Sequence, residues 1–211
     1  RVTTAWMAWS EQLKPRVASR VTDVMASSSE TLKPRVAVLG GNGYVGRHAV
    51  EALLTSGEYL VRSVDLRAAP DSHARWRRGV EMRLCDIHNP EELAAAVQGC
   101  SACLHCAGVV DTRSGPLHDA RIHHSHVDGT AAVIEACKHA GVESLVYISS
   151  ASAAADGVFA WGDDERAVRG SGTACAYGLA KREAERLVVG AHGSSLSTVC
   201  VRPQMIIGPG D

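Results

Sequence analysis

Val36-Ala37-Val38-Leu39-Gly40-Gly41-Asn42-Gly43-Tyr44-Val45-Gly46 is the stretch from which the rest of the chain can be read. Val36 to Leu39 are four apolar residues in a row, the length of a short buried strand. Gly40, Gly43 and Gly46 follow at a spacing of three, and Tyr44 to Ser56 continues with helical periodicity. A strand that turns through glycine into a helix needs one Gly for the tight turn and another where helix and strand pack closely. The N–H groups of the first helical turn have no partner within the helix, so they collect at one point and favour an anion. A third Gly lets backbone approach such an anion, and a pyrophosphate fits the spacing. A glycine triplet alone is a weak signal; a strand before it and a helix after it supply the required context.

Leu60 to Asp65 reads as a second strand, and Asp65 lies 65 − 46 = 19 residues past the last Gly of the triplet. A carboxylate at that place accepts from both hydroxyls of an adenosine ribose and repels a 2′-phosphate, so NAD is favoured over NADP. Arg67, two residues on, softens that preference. Val80 to Cys85 is a third strand, and Asp86-Ile87 follows it. Asp86 either hydrogen-bonds an adenine amine or closes a turn before Asn89. Asn89-Pro90-Glu91-Glu92 opens a helix, with an Asn cap, Pro in the first turn and acids facing the dipole. Ala102 to Cys106 is a fourth strand. Ala132, Val133, Ala136, Cys137 and Ala140 form one helical stripe. Leu145 to Ile148 is a fifth strand, Tyr177 to Val189 a helix, and Thr198 to Val201 a sixth strand. Strands alternating with helices predict an α/β fold, a Rossmann-type doubly wound parallel sheet.

The 211 residues are 45% hydrophobic and 21% charged, the composition of a globular chain. Lys+Arg is 22 against Asp+Glu 23, so no global charge draws the protein to nucleic acid. Seven Cys, an odd number at irregular spacing, do not resemble a secreted disulfide framework and favour a reducing compartment. Residues 1–34 differ from the rest. They hold Trp6, Trp9 and one copy of an eight-residue repeat, Glu11 to Ala18, whose second copy, Glu30 to Ala37, runs into the first strand. This segment reads as a leader, disordered or non-native, with a natural start at Met25. Residues 35–211 read as the dinucleotide-binding domain.

Tyr177-Gly178-Leu179-Ala180-Lys181 sets a phenol and an ammonium at i and i+4 on one helix face. Ser149 and Ser150 leave the end of the fifth strand. Open parallel sheets bind ligands beyond the carboxyl ends of their strands, so these serines, Cys106-Ala107-Gly108 and the glycine turn belong on one edge. A free Tyr has a pKa of about 10 and must fall by ~3 units to act as a base near neutrality. Lys181 and a cationic nicotinamide supply the positive charge for that shift. Tyr177 then takes the proton of a substrate hydroxyl while hydride leaves its carbon, Ser150 holds the oxygen, and Lys181 also bonds the nicotinamide ribose.

These residues resemble the extended short-chain dehydrogenase/reductase superfamily, and within it the 3β-hydroxysteroid dehydrogenase and sterol-4α-carboxylate 3-dehydrogenase family. The similarity runs over Leu104 to Gly115, Gly129 to Cys137, Gly141 to Ser150, Tyr177 to Ala191 and Val201 to Asp211. The resemblance implies Tyr177 and Lys181 as catalytic pair, Ser150 as their partner and Ser149 lining the site. It implies cofactor contacts from Gly40, Gly43, Tyr44, Val45, Gly46, Asp65, Asp86, Ile87, Ala107, Gly108, Tyr177, Lys181 and Pro203. The implied activity is NAD-dependent oxidation of a sterol 3β-hydroxyl, with loss of a neighbouring 4α-carboxylate. A sugar-nucleotide epimerase or reductase, or a redox-inert NAD-binding module, are the alternatives. The resemblance also implies a homodimer in the cytoplasm or on the cytoplasmic face of the endoplasmic reticulum, with any membrane contact made through a region after Asp211. In that family the substrate-binding region continues past this point, so the C-terminal part reads as truncated. Two departures stand out. Leu39 replaces the Thr or Ser that usually precedes the first Gly, and His126 stands where the family usually has Asn.

Other clusters invite readings that the residues do not support. Cys100, Cys103, His105 and Cys106 resemble a metal site, but side chains of one strand alternate faces and cannot converge as four ligands. His123, His124 and His126 are crowded, and a solvated helix start accounts for them. Arg75-Trp76-Arg77-Arg78 reads as a solvated basic turn, and Tyr147 and Val146 as core.

Overall fold

The computed structural model describes residues 33–69, 76, 79–111, 113, 115–154 and 175–208. Its six strands are β1 (Arg35–Leu39), β2 (Leu60–Asp65), β3 (Val80–Leu84), β4 (Ala102–His105), β5 (Ser144–Ile148) and β6 (Ser197–Val201). They form one parallel sheet in the order β3-β2-β1-β4-β5-β6. The helices are α1 (Tyr44–Ser56), α2 (Pro90–Val97), α3 (Pro116–His123), α4 (Gly129–His139) and α5 (Ala176–Gly190). Parallel strands are covered by helices on both faces and so carry unbroken apolar runs. Val36, Ala37, Val38 and Leu39 are accordingly all buried. Asn89 caps α2 as its sequence predicts, accepting from the N–H groups of Glu91 and Glu92, an arrangement worth about 1 kcal/mol.

The chain winds outward from β1 to β3, then returns to place β4 on the other side of β1. Leu39 pairs with Val64 on one flank and with His105 on the other. The segments leaving β1 and β4 therefore part in opposite directions, which opens a crevice at the carboxyl edge between them. Residues Pro34–Ile206 form one compact unit. Among the described residues no helix is long and apolar enough to cross a membrane.

The structure departs from the sequence reading between residues 116 and 128. The sequence predicts a helix start at the histidines and nothing before it, yet α3 runs straight into a π-helical turn, His124–Asp128, which continues into α4. The three histidines do not form a solvated helix start. His123 and His124 are exposed, but His126 is 1% exposed and faces inward. The wider turn changes which side chains point to the sheet, and such turns gather at functional sites. Trp76 is also buried rather than solvated; Arg75, Arg77 and Arg78 lie outside the described residues, as do residues 1–32 of the expected leader.

Candidate active site

The glycine turn is tighter than its spacing predicts. Gly40 has φ +74°, and a Cβ there would stand 2.7 Å from the Ala107 nitrogen. A Cβ on Gly46 would collide with the Gly40 carbonyl oxygen. Gly41, outside the triplet, is equally constrained, because its Cβ would meet the Ser63 hydroxyl and lie 2.9 Å from the Val38 oxygen. Gly43 differs. The protein atom its Cβ would meet is the Gly40 oxygen at 3.2 Å, so it faces the open side of the turn. It precedes α1 without giving a side-chain cap, and the first turn of α1 holds no acid. The N–H groups at the start of α1, from Tyr44 and Val45 onward, are thus left to an anion.

Asp65 ends β2 directly over this turn. Its Oδ2 accepts from the Asn42 N–H at 3.0 Å and its Oδ1 from the Arg67 N–H at 3.1 Å. Asn42 in turn donates from Nδ2 to the Arg67 carbonyl at 2.7 Å. The carboxylate is fixed in place with lone pairs to spare. An open glycine cradle, an uncapped helix start and a fixed carboxylate together fit a dinucleotide. Asp86 behaves as a turn residue, its Oδ1 accepting from the His88 N–H at 2.9 Å, which leaves its other oxygen for a ligand. Ile87 packs on the core and against Gly129.

After β4 the chain runs through Cys106, Ala107 and Gly108 beside the glycine turn, with the Cys106 N–H donating to the Leu39 oxygen at 2.9 Å. The π turn holds this loop at both peptide groups of Val109. The Val109 N–H donates to Ser125 Oγ at 3.2 Å, and His126 Nε2 donates to the Val109 carbonyl at 2.8 Å. Gly108 has φ +155°, and the His126 ring fills the space a Cβ would need. The sequence gives no sign of this clamp, because a histidine three residues before Gly129 carries no local mark of burial.

Ser150, Tyr177 and Lys181 meet at the end of β5. The Ser150 hydroxyl faces the Tyr177 phenol, where it favours the phenolate, and accepts from the Ser152 N–H at 3.1 Å. Pro203 holds the turn after Ser150 by accepting from the Ala151 N–H at 3.0 Å. Gly178 packs against this turn, where a Cβ would lie 2.7 Å from the Ser152 oxygen, a constraint that its place between Tyr177 and Lys181 does not reveal. Ser149 is buried and its hydroxyl has no partner among the described residues. Lys181 donates to the Ile148 carbonyl at 2.8 Å, and its Nζ lies 5.9 Å from the Tyr177 ring centroid. The His126 ring meets the Tyr177 ring edge-on, centroids 5.3 Å apart.

Burial sets the electrostatics. It pushes Lys181 down to about 8, although Cys106 and Glu185 oppose this. It raises the Tyr177 phenol above its ordinary value, against the Ser150 hydrogen bond that favours the phenolate. The phenol therefore stays protonated near neutral pH, and a role as base calls for further positive charge beside it. Burial, with the Lys181 charge next, holds His105 at about 3 and His126 at about 4. Both have folded values below their unfolded value of about 6.5. Their contribution to stability is complete above pH 6.5 and is lost as pH falls toward 4 and below, because the unfolded chain binds protons that the folded chain refuses. We expect the unfolding free energy to fall through this window by up to about 1.4 kcal/mol per pH unit for each group. Urea titrations between pH 7 and 4 check this, and His126→Asn should flatten the slope.

A Rossmann-type sheet that carries Tyr-x-x-x-Lys beside a paired serine defines a protein of the short-chain dehydrogenase/reductase class. The chain belongs to the 3-beta hydroxysteroid dehydrogenase/isomerase family, whose profile matches residues 37–211. It is 34% identical over 176 residues to sterol-4-alpha-carboxylate 3-dehydrogenase, decarboxylating, of Bos taurus, covering 82% of this chain and 47% of that one. It is 33% identical over 177 residues to 4-hydroxy-2-methyl-3-oxo-4-farnesyl-3,4-dihydroquinoline-1-oxide ketoreductase of Stigmatella aurantiaca, covering 82% and 51%. Among solved structures, MoeE5 in complex with UDP-glucuronic acid and NAD matches with a TM-score of 0.64 and 30% identity, covering 80% and 54%. The chain thus spans about half the length of the curated relatives it matches.

Proposed function

We propose that the protein to which these residues belong is an NAD-dependent oxidoreductase that oxidises a 3β-hydroxyl on a steroid or sterol. The observation that carries this reading is the meeting of Ser150, Tyr177 and Lys181 at the end of β5, on the sheet edge that also holds the open glycine turn. NAD, when bound, accepts the hydride and brings a cationic ring to the site. Tyr177 takes the hydroxyl proton, and Ser150 orients the oxygen while stabilising the phenolate. Lys181 adds positive charge from its fixed seat on the Ile148 carbonyl. The names of the family and of the Bos taurus relative support the sterol. A 4α-carboxylate next to the new 3-ketone makes a β-keto acid, which loses carbon dioxide through an enolate without a further protein base.

A sugar-nucleotide substrate is the second reading, favoured by the likeness to MoeE5 bound to UDP-glucuronic acid. Assays with 3β-hydroxysterols, 4α-carboxysterols and UDP-sugars separate the two. Reduction of NAD by the sterols supports the first; turnover of UDP-sugars alone replaces it with the second. The cofactor preference is tested at Asp65. Asp65→Ser should weaken NAD binding about tenfold to a hundredfold, the worth of one charge-assisted pair, and narrow the gap to NADP. Calorimetric titration with both cofactors reads this out, and an unchanged NAD affinity removes Asp65 from the site.

A further inference from the structure

We propose that Tyr147 is a positioning residue for Lys181, the face of its ring acting as the shelf on which the buried ammonium rests. Tyr147 lies in β5, opposite His105 in β4, and is fully buried. Lys181 Nζ stands 4.7 Å from its ring centroid. The hydroxyl end of Tyr147 faces Thr130, at a geometry short of a complete hydrogen bond. Thr130 Oγ1 is itself held by His105 Nε2 at 3.1 Å. The ring is thus fixed from behind by α4 and β4, and its π face is turned to α5.

The choice of a ring has a chemical consequence. A carboxylate partner would neutralise the ammonium, whereas an aromatic face stabilises a cation and leaves its charge in place. The carboxylate one turn along α5, Glu185, is committed elsewhere. Arg202 donates to its two oxygens at 2.7 and 2.6 Å. Among the described residues, the remaining groups that face Lys181 are neutral rings, a thiol and a phenol: His105 from β4, Cys106 at its end, His126 from the π turn and Tyr177 from α5 itself. Burial holds the Cys106 thiol at about 12, so it brings no anion at neutral pH. Among the described residues its partners are the Ile148 carbonyl, the near face of Tyr147 and the more distant face of Tyr177, so the ammonium keeps its charge and further N–H bonds for whatever occupies the crevice.

This inference rests on the placing of Lys181 in the proposed site, but its test needs no cofactor. The chain contains four lysines, Lys14, Lys33, Lys138 and Lys181, so lysine labelled with 13C at the ε carbon gives few signals. Lys181 is assigned by its loss in Lys181→Arg. Its ε-methylene protons should resonate upfield of those of Lys33 and Lys138, because they lie over a ring. A pH titration should give the same midpoint for Tyr147→Phe as for the unaltered chain. With 3,4,5-trifluorophenylalanine at position 147, which keeps the shape and removes the negative face, the midpoint should fall by about half a unit to one unit. Absence of the upfield shift in the unaltered chain overturns the proposal without any variant. An unmoved midpoint in a folded fluorinated protein does so as well. If NAD fails to bind while the lysine behaves as stated, the proposed function fails and the shelf stands.

Discussion

Tyr177→Phe should lower kcat for alcohol oxidation by roughly a hundredfold to ten-thousandfold, the range for losing a general base, while NAD still binds. The variant keeps the ring that packs edge-on against His126 and removes the oxygen that faces the Ser150 hydroxyl. The fold should be untouched, since that oxygen supports no other element among the described residues. Lys181→Met is the companion. It removes a charge that already costs the fold desolvation, so it should not destabilise the protein and should still abolish most turnover. The pH profile carries the same information. Burial, with Cys175 adding to it, raises the phenol, so activity should rise with pH through a limb whose midpoint moves down when the cationic nicotinamide is present. Stopped-flow oxidation across pH 6 to 10 reads the limb for kcat, and nucleotide fluorescence reads binding separately. A Tyr177→Phe enzyme with ordinary kcat would remove the phenol from the chemistry.

The glycine turn yields the other large effect, and it splits by position. Gly46→Ala forces a methyl group into the Gly40 carbonyl. Neither atom is at the end of a flexible side chain, so the helix start must move, at a cost of about 3 kcal/mol in stability and with loss of NAD binding. Gly43→Ala is different. Its φ is −71°, a value any residue adopts, and its Cβ meets protein only at 3.2 Å. Stability should change by less than about 1 kcal/mol. The new methyl would stand in the open side of the turn, and NAD affinity should fall at least about tenfold, since a pyrophosphate needs that approach. Thermal unfolding and nucleotide titration of the two variants give a two-by-two result. If Gly43→Ala binds NAD normally, the open side of the turn is not where the pyrophosphate lies.

What the sequence made legible was local or periodic. The run Val36 to Leu39, the glycine turn and Tyr44 to Ser56 sit next to one another, and each strand is bounded by its own hydrophobic pattern. The Tyr177–Lys181 spacing puts both groups on one face of any helix, whatever surrounds it. The Asn89 cap could be read from four residues. The remainder depends on partners far along the chain. His126 looks like one of three polar residues at a helix start, and only the approach of Gly108 and Val109, 17 and more residues upstream, makes it a buried clamp. The π turn that aims it has no residue signature of its own. Tyr147 was read as core, which its burial bears out, but its position under Lys181 follows from packing α5 on β5. Gly41 and Gly178 are constrained by Ser63 and Ser152, contacts that no spacing rule contains. Charge was the hardest to read. The sequence pairs an ammonium with a phenol and invites a lowered phenol, whereas burial outweighs the Ser150 hydroxyl and raises it.

The central claim is that these residues pass a hydride from a steroid C3 to NAD with Tyr177 as base. It is tested most directly by isotope transfer. A 3β-hydroxysterol carrying deuterium at the 3α position is incubated with NAD and the enzyme, and the reduced cofactor is analysed by mass spectrometry and proton NMR. The account predicts deuterium at C4 of the nicotinamide, a 3-ketone in equal amount, and both products forming at least about a hundredfold more slowly with Tyr177→Phe. Cofactor that stays oxidised with every sterol but is reduced by a UDP-sugar, or deuterium transfer at an undiminished rate in Tyr177→Phe, would contradict it.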